Sequence, residues 1–229
     1  MANLSTLFEK YDRLFLFDTE TTGLGYSRDE IIEFAAVIVE LREGIPTIIK
    51  EYDELITLTP GNVIPDMIVN LTGITNEAVK ENGIPKEQLC RDIAGMFTEK
   101  TLLLAYNAHF DLSFLFYLLL RNGDPSILKG KDKLDLLTVY KDRHSYPHKL
   151  CNAIETYQLS DQFVNSHRAV DDVIATVAVM LEMEKEKADL DRYVNLFGYH
   201  PTYGLDGKPI GSVTYKPQQY DPKAPLYDL

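Results

Sequence analysis

Leu14-Phe15-Leu16-Phe17-Asp18-Thr19-Glu20-Thr21-Thr22-Gly23-Leu24 begins with four apolar residues in succession and turns acidic at Asp18. An apolar run without alternation suits a strand covered on both faces, as in the middle of a sheet layered between helices. Residues two apart on a strand share a face, so Asp18 and Glu20 leave the end of this strand side by side. Two like charges so placed repel each other unless something positive lies between them. Asp and Thr are also ordinary where a strand enters a polar loop, and the pair alone is open to either reading.

Outward from this strand the chain divides cleanly. Gly23 and Gly25 break it, residues 31–41 form a second strand rich in Ile, Val and Phe, Gly44 and Pro46 mark a turn, and residues 47–58 read as a third strand. The short gaps favour antiparallel hairpins. Beyond Pro60 the apolar spacing becomes helical over 65–71, 76–81 and 85–98, with Pro65 and Pro85 placed as first-turn prolines. Residues 101–105 form a short buried strand feeding a helix from about Phe110, which Gly123 is suited to end. A fifth strand at 132–135, a helix near 149–157 and a long helix over 168–187 follow, the last with Val170, Val173, Ile174, Val177 and Leu181 as its core stripe. This order predicts an α/β fold with a mixed five-stranded sheet flanked by helices. Residues 1–198 make the domain, and 199–229 a Pro/Tyr/Gly-rich extension that straps it or carries a partner-binding tail.

Bulk composition sets limits. The 229 residues suffice for one sizeable domain, and Cys90 and Cys151 offer neither a disulfide framework nor zinc-ligand spacing. The charged N-terminus has no signal-type apolar core, and the densest apolar run, 114–120, is too short to cross a bilayer, so a cytoplasmic protein with no membrane role is expected. A net charge of −12 argues against broad phosphate binding through Lys and Arg. It leaves room for a nuclease whose carboxylates reach phosphate through divalent cations.

Three further residues complete a chemical pattern. Asp111 falls in the first turn of the helix after strand 101–105, and it emerges beside Asp18 if the two strands run parallel. A carboxylate there is also favourable merely for the helix dipole. Asp172 shares its helix face with Ala175, Thr176 and Val179, opposite the core stripe, so the helix is apolar nearly all round and its carboxylate demands a partner. His167 lies five residues before Asp172, with Ser166 as the expected N-cap. A neutral imidazole among carboxylates and cations can take a proton from water near neutral pH.

The segments FDTETTGL (17–24), NAHFD (107–111) and HRAVDD (167–172) resemble the three motifs of the DnaQ-like, or DEDDh, 3′–5′ exonucleases, the family of the proofreading epsilon subunit of DNA polymerase III. The likeness covers roughly residues 11–190. It implies a ribonuclease-H-like fold and two Mg²⁺ or Mn²⁺ ions held by Asp18, Glu20, Asp111 and Asp172. His167 would be the general base. It also implies that Thr22, Gly23 and Leu24 line the pocket for the terminal nucleotide and that Asn107 supports Asp111 or the substrate. The expected substrate is a single-stranded or frayed DNA 3′ end, in proofreading or repair, with a polymerase partner acting in trans. RNA 3′-end trimming is the alternative, and a non-catalytic interaction module a third reading. A zinc peptidase is disfavoured because no HExxH segment occurs.

Overall fold

Alternate residues of the first strand are buried in different cores. In the computed structural model, which describes residues 4–163, 166–202, 210–221 and 223–229, strand β1 (Arg13–Thr21) sends Leu14 and Leu16 to one side of the sheet and Phe15 and Phe17 to the other. This is the physical content of the unbroken apolar run. β1 is central in a sheet of order β3–β2–β1–β4–β5, formed with β2 (Ile31–Arg42), β3 (Ile45–Leu55), β4 (Thr101–Ala105) and β5 (Asp132–Asp135). β2 pairs antiparallel with β1 and β3, whereas β4 runs parallel to β1 and β5 parallel to β4.

Three short helices, α1 (Ser5–Phe8), α2 (Asp66–Thr72) and α3 (Asn76–Asn82), precede those that cover both faces. α4 (Lys86–Met96) and α5 (Ala108–Asn122) meet Phe15 and Phe17 through Leu89, Ile93, Leu112 and Leu115. α8 (Ala169–Glu186) lies on the other face, where Val173 and Met180 join Leu14, Leu16 and Leu104. α6 (Leu136–Arg143) and α7 (Leu150–Thr156) complete that layer through Val139 and Ile154. The mixed five-stranded sheet flanked by helices is therefore as expected.

Local details differ from the sequence reading in instructive ways. Strand β3 ends at Leu55 rather than 58, leaving Ile56 in a single parallel bridge to Ile84. Pro65 and Pro85 stand at the N-cap, one residue before the first helical turn. Gly123 does end α5, but not in the left-handed conformation, its φ being −155°. Its value is closeness, since a Cβ there would lie 2.8 Å from Cys90 Cβ on α4.

The C-terminal residues are packed into the molecule. β6 (Leu196–Tyr199) pairs in parallel with β7 (Thr214–Pro217). Ile210 is buried with the α4–α5 layer and Leu226 with the α8 layer. Leu226 N–H donates to Asp142 Oδ2 at 2.8 Å, and Tyr227 lies under the Arg192 guanidinium at 3.7 Å. No described helix is long and apolar enough to cross a membrane.

Candidate active site

Because β4 runs parallel to β1, with Leu16 opposite Leu104, the C-terminal end of β1 and the start of α5 share one edge of the sheet. Asp111, in the first turn of α5, is 2% exposed and turned toward β1. Its Oδ1 accepts from Thr19 N–H at 3.0 Å and from Thr19 Oγ1 at 2.7 Å. Thr19, between the two acidic residues of β1, thus holds Asp111 beside Asp18 and Glu20. Asn107 starts α5 in the left-handed region, at φ 71°, a conformation Asn tolerates better than most residues. Ala108 N–H donates to the buried Asp135, which also caps α6.

α8 brings in the remaining groups. Asp172 is buried, as are Ala175, Thr176 and Val179 on its face, whereas of the expected core stripe only Val173 and Val177 are buried and Val170, Ile174 and Leu181 are half-buried. The face that carries Asp172 is the one pressed into the core, and the helix is not enclosed all round. Asp172 Oδ1 accepts from Ser166 N–H at 3.2 Å. Ser166 is not the N-cap: its hydroxyl donates to Asp171, and Arg168 occupies the cap without a side-chain cap bond. His167 has a φ of 57°, a strained choice for a non-glycine residue and one that concentrates at functional sites. Ligand atoms of Glu20, His167 and Asp172 all lie within 4.8 Å of one another.

The start of α8 is fixed by a residue that sequence reasoning missed. Glu33, wholly buried on β2, accepts from Arg168 Nε at 2.8 Å and Nη2 at 2.5 Å, and from Ala169 N–H at 2.8 Å. A charge-assisted fork of this kind is directional, so it sets where the chain enters α8 and hence where His167 and Asp172 lie. One signal was present: a lone carboxylate inside the otherwise apolar run of β2 needs a cationic partner.

The carboxylates of the cluster are desolvated and repel one another. Asp18 titrates well above the usual carboxylate range, first through desolvation and then through the charges of Asp111, Asp172 and Glu20. Glu20 is pushed up to about 8 by desolvation and by Asp172, Glu33 and Asp111, with Arg168 a weaker opposing influence. Asp111 rises to about 7 through burial, although the Thr19 hydrogen bonds pull it down. Crowded carboxylates with one imidazole form a hard oxygen-rich donor set, suited to Mg²⁺ or Mn²⁺ rather than to soft metals.

The loop after β1 is braced from below. Thr22 exchanges bonds with Glu30, donating its N–H to the carbonyl at 2.9 Å and accepting Glu30 N–H on Oγ1 at 2.9 Å. Gly23 packs so closely that a Cβ would lie 2.6 Å from Asp29 Oδ2. Leu24, by contrast, stands 84% exposed on this braced loop, an apolar side chain offered to solvent. Asn107 and His167 line a common groove.

A mixed sheet with helices on both faces and a carboxylate cluster at the end of its central strand is the ribonuclease-H-like exonuclease architecture. The exonuclease family model RNase_T matches residues 15–180, and the chain belongs to this DnaQ-like exonuclease family. Among curated relatives, the PolC-type DNA polymerase III of Clostridium perfringens is 32% identical over 95% of this chain and 14% of its own length. The corresponding protein of Caldanaerobacter subterraneus is 31% identical over 73% of the chain and 11% of its own length. The chain therefore spans only about a tenth to a seventh of these relatives. Escherichia coli Exonuclease I, solved with a dA16 oligonucleotide, shares the fold with a TM-score of 0.70 at 21% identity, covering 80% of this chain and 42% of that one. A moderately thermophilic Exonuclease I from Methylocaldum szegediense superposes with a TM-score of 0.66 at 22% identity, over 78% of this chain and 41% of its own.

Proposed function

We propose that this chain is a 3′–5′ exonuclease of the DEDDh type that removes nucleotides from DNA by metal-dependent hydrolysis, in proofreading or repair. The observation that carries the reading is the convergence of Glu20, His167 and Asp172 within 4.8 Å at the end of the strand that also bears Asp18. Family membership, relatives named as DNA polymerases and a fold shared with an oligonucleotide-bound exonuclease support it further.

In this reading Asp18, Glu20 and Asp172 would hold the divalent cations, two Mg²⁺ or Mn²⁺, and Asp111, seated on Thr19, would support the second of them through water. When bound, such cations activate water, neutralise phosphate charge and stabilise the leaving oxygen. His167 accepts a proton from the attacking water, and its neighbours Glu20 and Asp172 stabilise the imidazolium that results. Exposed Leu24 gives an apolar surface for the terminal base, and Gly23 keeps the loop close-packed beneath it. The Glu33–Arg168 fork keeps the helix that carries Asp172 in register with β1.

The test is a gel time course on 5′-labelled single-stranded DNA and a matched RNA, each with Mg²⁺, with Mn²⁺ and with chelator. A ladder shortening from the 3′ end, dependent on metal and faster on DNA, is expected. Faster loss of RNA would move the substrate to RNA 3′ ends, and no cleavage with either metal would overturn the nuclease reading.

A further inference from the structure

Beside the carboxylate cluster lies a groove of about 920 Å³, at the upper end of the roughly 300–1,000 Å³ typical of ligand sites. His167 and Asn107 stand in its wall, so it is continuous with the candidate active site. Its composition is the reverse of the chain's. The protein carries 35 acidic against 23 basic residues, yet no Asp or Glu is found among the described residues lining the groove. Lys141, Lys149, His148 and His200 line it instead, and with His167 it holds three of the five histidines in the sequence.

The groove is also aromatic where it is open. Tyr146, 84% exposed, comes from the segment between α6 and α7, and Tyr220, 46% exposed, comes from the C-terminal residues beyond β7. Both border this groove and also the smaller cavity next to it. The ring of Tyr146 stands edge-on to that of His148, with centroids 5.8 Å apart. Two tyrosine rings open to solvent on the border of one groove offer faces on which flat rings can stack.

The wall supplied by the C-terminal residues is held firmly. Gln218 Nε2 donates to Thr138 O at 2.7 Å, and Gly198 N–H donates to Thr138 Oγ1 at 3.0 Å, so β6 and the segment after β7 are both tied to α6. A Cβ at Gly198 would lie 1.9 Å from Gln218 Oε1, so this approach requires glycine. Tyr215 OH shares a hydrogen bond with His109 Nδ1 at 2.9 Å, fastening β7 to the first turn of α5. Tyr220 is therefore presented from an anchored segment.

We propose that Tyr199, His200 and residues 218–220 complete a binding groove for the single strand that precedes the scissile bond, with bases stacked on Tyr146 and Tyr220 and phosphates attracted by Lys141, Lys149 and His200. This rests on the exonuclease reading for which strand enters, and it gives residues outside the three acidic motifs a direct part in substrate binding. Successive bases on aromatic rings inside a positive groove are the general solution for single strands, tolerant of sequence because every base has a π-face. Charge complementarity names the occupant, since only a polyanion gains from a carboxylate-free strip on so acidic a protein. The groove also accounts for how a chain of net charge −12 can hold nucleic acid.

The test is fluorescence anisotropy with 5′-fluorescein dT12 whose 3′-terminal linkages are phosphorothioate, in chelator and again with Mg²⁺, alongside the matched RNA. Tyr146→Ala and Tyr220→Ala should each weaken binding by roughly tenfold, and Tyr146→Phe should restore it to within about twofold, because stacking needs the ring and not the hydroxyl. Lys149→Ala should flatten the salt dependence by about one unit of log–log slope. Melting curves unchanged from wild type establish that each variant is folded, as expected for so exposed a ring as Tyr146. Wild-type affinity in both alanine variants, or no binding by the wild type, overturns the groove. Hydrolysis with unaltered affinity in both variants would leave the nuclease standing without it. Affinity lost in both by a chain that hydrolyses nothing would uphold the groove and overturn the nuclease.

Discussion

Asp18→Asn should abolish turnover while making the metal-free protein more stable. Asp18 sits at the end of the central strand among Asp111, Asp172 and Glu20, whose charges and the surrounding desolvation push its own titration upward. The amide keeps the shape and is neutral without a bound proton, so the chelated protein no longer bears the repulsion, or the proton uptake that relieves it, at this position. Active-site carboxylates commonly exact this cost in stability. We expect the chelated variant to melt about 2–6 °C higher than wild type. Turnover should fall on the order of 10³-fold or more, as when a member of a concerted catalytic set is lost. Initial rates on 5′-labelled DNA and thermal melts in chelator read the two effects. A variant that loses stability along with activity would show that Asp18 is a structural residue.

Divalent cations should stabilise the wild type strongly, and more so as pH rises. Glu20 titrates at about 8 and Asp111 at about 7, in both cases chiefly because of burial, and Asp18 is also raised. A carboxyl raised in the folded state contributes stability that is complete below its unfolded value near 4 and is lost as pH climbs through its folded value. The chelated protein should therefore lose stability between about pH 4 and pH 8 on account of these groups. Cations bind the deprotonated form and reverse the loss, releasing protons as they do so. At a hundredfold excess over Kd, Mg²⁺ or Mn²⁺ should raise Tm by roughly 5–10 °C at pH 8 and by much less at pH 5. A shift that is independent of pH would mean that the cation does not act through these carboxylates.

How much of this was legible in the sequence depends on how far apart the interacting residues lie. Asp18 and Glu20 were readable because a strand's period is fixed, and Asp111 because a strand feeding a helix returns the chain to the same sheet edge. Asp172 stood out because an acidic residue on a helix apolar nearly all round demands a partner. Glu33 was harder: its carboxylate pairs with Arg168, 135 residues away, and no local spacing announces that contact. The same holds for Thr19, whose two hydrogen bonds to Asp111 span 92 residues. Ser166 misled because a serine before a helix is the common N-cap, whereas here its N–H and hydroxyl serve Asp172 and Asp171. The C-terminal residues resisted reading for another reason. Their Pro, Gly and Tyr content carries no period, and the groove they help to wall is visible only once α6, β6 and β7 are brought together.

The account rests on a cation-holding centre built from Asp18, Glu20 and Asp172 with His167 above it. Its most direct test is a crystal grown with Mn²⁺ and a nucleoside 5′-monophosphate, with anomalous scattering recorded at a wavelength sensitive to manganese. We expect two peaks roughly 3.5–4 Å apart, both touching Asp18 and bracketing the phosphate. Manganese bound elsewhere on the acidic surface, with Asp18 and Glu20 bare at saturating metal, would contradict the account.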